Sequence, residues 1–261
     1  MNYFSFYLIL LSILLSRPAE AQRLLTANQG HSHNDYHQKE PLLTAYNAGM
    51  GSIEADVFLK NGALYVAHDT TEITPGVTLR QLYLEPLAKL YTKNGNKPYP
   101  NAAMKLQLVI DIKTDHEHVI PELISELEAF KNIFNSTKNP SAIKVAISGD
   151  VPKPESFKDY PAYISFDGRP YTQYTEDQLI RVVMISDNIK NYTSWDGKAE
   201  PTDGDVQKLK AVVAKAHQNK KTFRFWATND SPASWKVLEN LGVDWINTDT
   251  PKKLKEFFDT E

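Results

Sequence analysis

Glu54 and Asp56 stand two residues apart in the segment "SIEADVFL". Alternate residues of a β-strand share a face, so these carboxylates point together while Ile53, Ala55 and Val57 point away. Two acids on one face of an apolar strand repel each other and lose hydration, and a bound cation relieves both costs. "LQLVIDIK" repeats the pattern: Leu106, Leu108, Ile110 and Ile112 take one face and leave Asp111 and Lys113 on the other, at the strand's C-terminal end. Three convergent carboxylates, with water completing the shell, form a hard-oxygen set suited to Mg²⁺ or Ca²⁺ rather than to zinc. Each pair taken alone has a plainer explanation, an Asp111–Lys113 ion pair and a loop capped by Glu54 and Asp56.

Histidines shift that balance. Three of the chain's seven lie in "GHSHNDYHQKEPL", as His31, His33 and His37. His68 follows Asp56 by twelve residues, after a turn at "KNGA" and a short strand "LYVA", which returns it towards the two acids. Two imidazoles flanking a cation can serve as acid and base on a phosphate ester near neutral pH. His31 and His68 fit that pair, with His33 competing for the place of His31. His116 and His118 in "TDHEHV" do not add to it. Residues two apart on a helix point about 200° away from each other, so these read as a polar helix start.

Such side chains need a frame. Short apolar runs alternate with helix-like stretches from Leu24 onward. "RLLTANQ", "GSIEADVFL", "KLQLVIDIK", "AIKVAIS", "AYISFDG", "RVVMISD", "KTFRFWAT" and "GVDWINT" are the expected strands. "EPLLTAYNAG", "EHVIPELISELEAFKNIF", "DGDVQKLKAVVAKAHQN", "SPASWKVLENLG" and "PKKLKEFF" are the expected helices. Eight strands with interleaved helices predict a single (β/α)₈ barrel, whose chemistry sits at the C-terminal ends of the strands. A doubly wound open sheet is the alternative, but no Gly-x-Gly-x-x-Gly turn follows the first strand. Residues 70–104, with Pro75, Pro86, Pro98 and Pro100, read as a long irregular loop after the second strand. No stretch rich in Gly, Pro or Ser divides the chain.

Composition limits the function classes. A hydrophobic share of 41% supplies a sizeable core, and a net charge of −3 leaves no electrostatic footprint for nucleic acid. The run "YFSFYLILLSILLS" followed by "RPAEAQ" reads as a signal peptide over residues 1–21, with the catalytic domain over 22–261. The expectation is a secreted or periplasmic protein with no stable membrane span after cleavage. The absence of cysteine means that this domain relies on its core rather than on disulfides.

With these residues in place, "GHSHND…EPLLTAYNAGMGSIEADVFLKNGALYVAHD" resembles the opening of the glycerophosphodiester phosphodiesterase and phosphatidylinositol-specific phospholipase C superfamily. Within it, "HSHNDY" is most similar to the branch named for the fungal altered inheritance of mitochondria protein six. The resemblance implies a (β/α)₈ barrel that cleaves phosphodiesters of the glycerophosphodiester or phospholipid type. It implies His31 and His68 as acid–base pair, Glu54, Asp56 and Asp111 as metal ligands, and Lys113 on the phosphate. Asn34, three residues after His31, resembles the opening of the related sphingomyelinase D, and "FRFWATND" puts Trp226 near the mouth. Three departures stand out. His-Ser-His replaces the usual His-Arg-Gly, a Pro-Glu-Asn motif is missing, and Asp111 stands where a Glu is usual. Substrate identity does not follow from the fold.

Overall fold

The computed structural model describes residues 25–260, so the expected signal peptide at 1–21 lies outside the described residues. In chain order the strands are Gly30–Ser32 (β1), Ser52–Lys60 (β2), Ala63–Val66 (β3), Gln107–Ile112 (β4), Lys144–Gly149 (β5), Ile164–Gly168 (β6), Val182–Asn188 (β7), Thr222–Trp226 (β8) and Trp245–Thr248 (β9). Their order is β1-β9-β8-β7-β6-β5-β4-β2-β3, and a further β1–β2 pairing closes the ring. Eight strands are parallel, and β3 is an antiparallel flap on β2. The expected (β/α)₈ barrel is therefore the fold. The "KNGA" turn folds β3 back onto β2, with Asn61 at φ 51° and Gly62 at φ 75°, the paired positive angles a two-residue Asn-Gly hairpin uses.

The helices are Leu43–Asn47 (α1), Glu85–Lys93 (α2), His116–Glu128 (α3), Lys131–Phe134 (α4), Glu176–Arg181 (α5), Asp203–Gln218 (α6), Pro232–Asn240 (α7) and Pro251–Thr260 (α8). None among the described residues is long and apolar enough to cross a membrane. The outward faces of β2 and β4 meet these helices through Ile53, Val57, Leu108, Ile110 and Ile112, each at most 1% exposed. Burying such a side chain contributes about 1.5–3 kcal/mol.

Four local expectations need correction. "RLLTANQ" is not a strand where it is described: Thr26 and Gln29 form a capping box around a 3₁₀ turn, Ala27–Gln29, and the strand starts at Gly30. Gly30 packs so tightly there that a Cβ would lie 2.2 Å from Met50 Sδ. Residues 70–104 are not an irregular loop throughout. They hold a π-helical turn, Arg80–Leu84, running into α2, and Pro86 sits in the first turn of α2, where its missing N–H costs nothing. The long "EHVIPELISELEAFKNIF" helix breaks into α3 and α4 at Phe130, whose ring lies under the Arg80 guanidinium. Finally, α5 was not expected, although Thr175 and Gln178 form a capping box that announces it.

Inside the barrel, side chains from alternate strands stack in layers of four, and the register rises by about one residue per strand. Ser52, Ala146, Met184 and Trp245 form a low layer. Above it come His31, Val109, Asp167 and Arg224, then Glu54, Ser148, Ser186 and Asn247, then His33, Asp111, Arg169 and Trp226. The lower plug is apolar at Val109, Ala146 and Met184. Charge is concentrated higher up, towards the C-terminal mouth.

Candidate active site

His31 lies on β1 with no exposed surface. Gln107 Nε2 donates to Ser52 Oγ at 2.9 Å, and Ser52 Oγ lies 2.6 Å from His31 Nδ1. On the other side of the ring, Nε2 lies 2.8 Å from Glu54 Oε2. Arg224 Nη1 closes the group, touching His31 Nε2 and donating to Glu54 Oε2 and Asn247 Oδ1, each at 3.0 Å. Burial and the neighbouring guanidinium pull His31 down to about 3, so it stays neutral. Burial works against the Glu54 charge, but the His31 hydrogen bond and Arg224 hold it well below the usual carboxylate range.

One layer up, the surroundings change. His33 is 30% exposed; its Nδ1 lies 2.8 Å from Asp249 Oδ1 and its Nε2 lies 3.9 Å from Glu54 Oε1. Burial opposes its charge, but Asp249 and Glu54 outweigh burial and raise its pKa. Asp249 is itself held, because its backbone N–H donates to Asp230 Oδ2 at 3.0 Å. His68 is 56% exposed, with Nδ1 3.0 Å from Asp56 Oδ2. Each imidazole thus spends Nδ1 on an aspartate, and His33 turns Nε2 towards Glu54.

Asp56 is fully buried. Its Oδ2 accepts from Tyr36 Oη at 2.7 Å and pairs with Lys113 Nζ at 2.6 Å, while its Oδ1 is buried without a hydrogen-bond partner. Burial and the Glu54 charge push its pKa up, against Lys113 and Tyr36. Lys113 Nζ also lies 3.0 Å from Asp111 Oδ1, and Ser148 Oγ donates to Asp111 Oδ2 at 2.8 Å. Space for Asp111 depends on Gly149, which sits at φ 75° and whose Cβ would lie 2.8 Å from Asp111 Oδ1.

The rest of the "HSHNDYH" loop is scaffold. Ser32 Oγ, Leu42 N and Tyr83 Oη all donate to buried Asp35, and Asn34 accepts from Tyr36 Oη at 3.3 Å. His37 is exposed. Trp226 is half-buried in the mouth layer. His116 and His118 bind different aspartates, Asp150 and Asp115, and form no joint site. Asp56 brings Lys113 and His68 together, Lys113 links it to Asp111, His33 approaches Glu54, and His31 lies beneath them.

The divalent cation implied by the resemblance finds suitable chemistry here. Glu54, Asp56 and Asp111 are hard-oxygen donors on adjacent strands, and the orphaned Asp56 Oδ1 lacks a positive partner. Among the described residues no three His, Cys, Asp or Glu side chains converge into a ready cage. Lys113 Nζ supplies the charge between Asp56 and Asp111, and a cation would compete with it.

Sequence reasoning missed Arg224, Asp167, Arg169 and Asn247. Arg224 carried a readable signal: in "TFRFW" it alternates with Phe223 and Phe225, so its charge must face the lumen. Asp167 and Arg169 stand two apart at the end of β6, and Asn247 stands singly on β9.

Known proteins supply a family and a fold for comparison. The profile of the AIM6-like phosphodiesterase domain matches residues 19–152. An altered inheritance of mitochondria protein 6 homolog from Arthroderma benhamiae is 27% identical, covering 92% of this chain and 87% of its own. Altered inheritance of mitochondria protein 6 from Eremothecium gossypii is 28% identical over 87% of this chain and 68% of its own. Among solved structures, a glycerophosphodiester phosphodiesterase from Parabacteroides distasonis shares the fold with a TM-score of 0.54 at 15% identity, over 90% of this chain and 96% of its own.

Proposed function

The chain belongs to the AIM6-like phosphodiesterase domain family, and from that premise we propose that its barrel mouth is a metal-assisted phosphodiesterase site using two aspartate-anchored histidines. The observation that carries this reading is the arrangement of His33 and His68 around Glu54 and Asp56, each with Nδ1 on an aspartate. An imidazole so anchored is fixed in orientation and has a basic Nε2 free. One such group takes a proton from the attacking hydroxyl, and the other returns one to the leaving oxygen. His31, which the resemblance implies as catalyst, is sealed under Arg224 and acts here as a positioning residue for Glu54.

Glu54, Asp56 and Asp111 would hold Mg²⁺ or Ca²⁺, which when bound supplies positive charge to a non-bridging phosphate oxygen. Lys113 adds its own charge beside it. No cysteine is present and the mouth offers no serine nucleophile, since Ser148 and Ser186 are spent on Asp111 and Asp167. The attacking group in this reading is a hydroxyl of the substrate itself, adjacent to the phosphate, which gains the large effective molarity of a held neighbour. Glycerophosphodiesters and lysophospholipids have such a hydroxyl. The apolar leader of the sequence supports a secreted or periplasmic site of action.

Phosphorus NMR of products from monoester, diester and lysophospholipid substrates tests the reading. Diesters with a neighbouring free hydroxyl should be turned over, with a cyclic phosphate as first product. Their deoxy or methylated analogues should bind but lose most of their rate. A deoxy analogue cleaved as fast as its parent overturns the intramolecular attack, and turnover of monoesters alone overturns the diesterase.

A further inference from the structure

The mouth layer that holds His33 and Asp111 also holds a cation that proton transfer does not use. Arg169 directly follows β6, and two sets of bonds fix it. Its backbone N–H donates to the Tyr174 hydroxyl at 2.9 Å. Its Nη1 donates to Gly168 O at 3.0 Å and Ser186 Oγ at 3.3 Å, and lies 3.1 Å from Asp167 Oδ2. Every one of these side-chain contacts uses the same end of the guanidinium. Nε and Nη2, with three N–H groups between them, have no protein partner among the described residues, and the side chain is 25% exposed. A guanidinium tethered at one corner, with its Nε–Nη2 edge open, is a fork already set for two oxygens of one anion.

We propose that Arg169 is an oxyanion-binding residue, its open edge taking two oxygens of a phosphoryl group of the substrate. The identity of that substrate rests on the phosphodiesterase reading, but the fork itself does not. The competing explanation is that Arg169 only neutralises Asp167, which is buried and has one oxygen without a partner. Asp167 already has Ser186 Oγ at 2.5 Å and Arg224 Nη2 at 3.7 Å. A second guanidinium placed above it, with Nε and Nη2 making no hydrogen bond among the described residues, exceeds what that one carboxylate uses.

The test uses inorganic phosphate as the probe and Arg169→Gln and Arg169→Lys as variants of the full chain. Binding is followed by calorimetry, and kcat and KM are measured with a plain dialkyl phosphodiester and with a diester carrying a second anionic group. Arg169→Gln should weaken phosphate binding about 10- to 100-fold, and Arg169→Lys should recover only part, since an ammonium cannot fork. The loss should fall mainly on KM, with the melting temperature nearly unchanged. An equal KM rise on both diesters places the fork on the reacting phosphate, and a rise on the doubly anionic diester alone places it on the distal group. Both outcomes support the proposal. Unchanged phosphate affinity in Arg169→Gln overturns it, as does recovery of affinity on adding Asp167→Asn, because a mere counter-charge becomes dispensable once its acid is gone. If the wild type cleaves no diester yet its phosphate binding depends on Arg169, the phosphodiesterase reading fails and the fork stands.

Discussion

The two arcs of the barrel divide the chemistry by charge. The arc from β1 to β4 contributes His31, His33, Glu54, Asp56, Asp111 and Lys113, and its acids outnumber its one lysine. The arc from β6 to β9 contributes Asp167, Arg169, Arg224 and Asn247 to the lumen, two guanidinium groups to one acid, with Asp249 just past β9 reaching His33 at the rim. Arg224 reaches across the lumen to Glu54, so the second arc sets the electrostatics of the first. In the proposed reading this difference lets the acid arc gather cations and protons while the basic arc orients an anion against it.

Removing an acid should give the largest effect. Glu54→Gln and Asp56→Asn should each lower turnover on the order of 10²–10³-fold or more and weaken metal binding. Full activity in either variant with chelator present would end the metal reading of the acid arc. The histidines sharpen the same arc further: His33→Ala and His68→Ala should each cost on the order of 10²–10⁴ in rate. If His31→Ala is dead while His33→Ala is active, the catalyst is the buried histidine and Arg224 must move aside during turnover.

Crossing between arcs gives a stability effect. Arg224→Met leaves Glu54 buried beside His31 without its guanidinium, and breaking such a pair costs about 3–5 kcal/mol, readable as a shift in urea midpoint. Lys113→Met should cost less, because Lys113 is 22% exposed and water can reach its partners. Equal costs for the two would erase the contrast in burial.

A smaller effect concerns pH. His31 is held down to about 3 against an ordinary 6.5, so the unfolded chain binds its proton first as pH falls. Stability from this group is complete above pH 6.5 and is lost progressively between 6.5 and about 3. Glu54, also held low, loses its contribution in the same acid direction. The raised pKa of His33 acts oppositely, its contribution fading as pH rises above the ordinary histidine value. Metal-free protein should therefore melt lower at pH 4 than at pH 7, by at least about 5 °C. His31→Gln should shrink that gap, and an unchanged gap would mean that the acid loss comes from elsewhere. The smallest effect belongs to His37→Ala, which should change rate less than about twofold, because that ring is exposed and only edges onto Tyr36.

The acid arc was legible because its groups lie close in sequence on strands with clear alternation. "SIEADVFL" and "VIDIK" each give two inward side chains from one short stretch, and "KNGA" fixes the hairpin that returns His68. The barrel was legible for the same reason, since eight apolar runs separated by helices allow few other topologies. The basic arc was less legible. Arg224 between Phe223 and Phe225, and Asp167 two residues before Arg169, give local signals, but neither stretch says which groups of other strands it meets. The order of the two histidines also escaped the sequence. That His31 lies two layers below His33 depends on β1 starting at Gly30, and on Arg224 arriving from 193 residues away.

The closure seam has a consequence for how this protein comes into being. β1 pairs with β2 on one side and with β9 on the other, and it is only three residues long. Its second pairing joins His31 to Asn247, the kind of long-range contact that forms late because a long loop must first be closed. Glu54 and Arg224, 170 residues apart in the chain, likewise meet across a long closure. A chain emerging from synthesis carries its acids, its histidines and the whole matched segment long before the guanidinium that sets their charge state arrives.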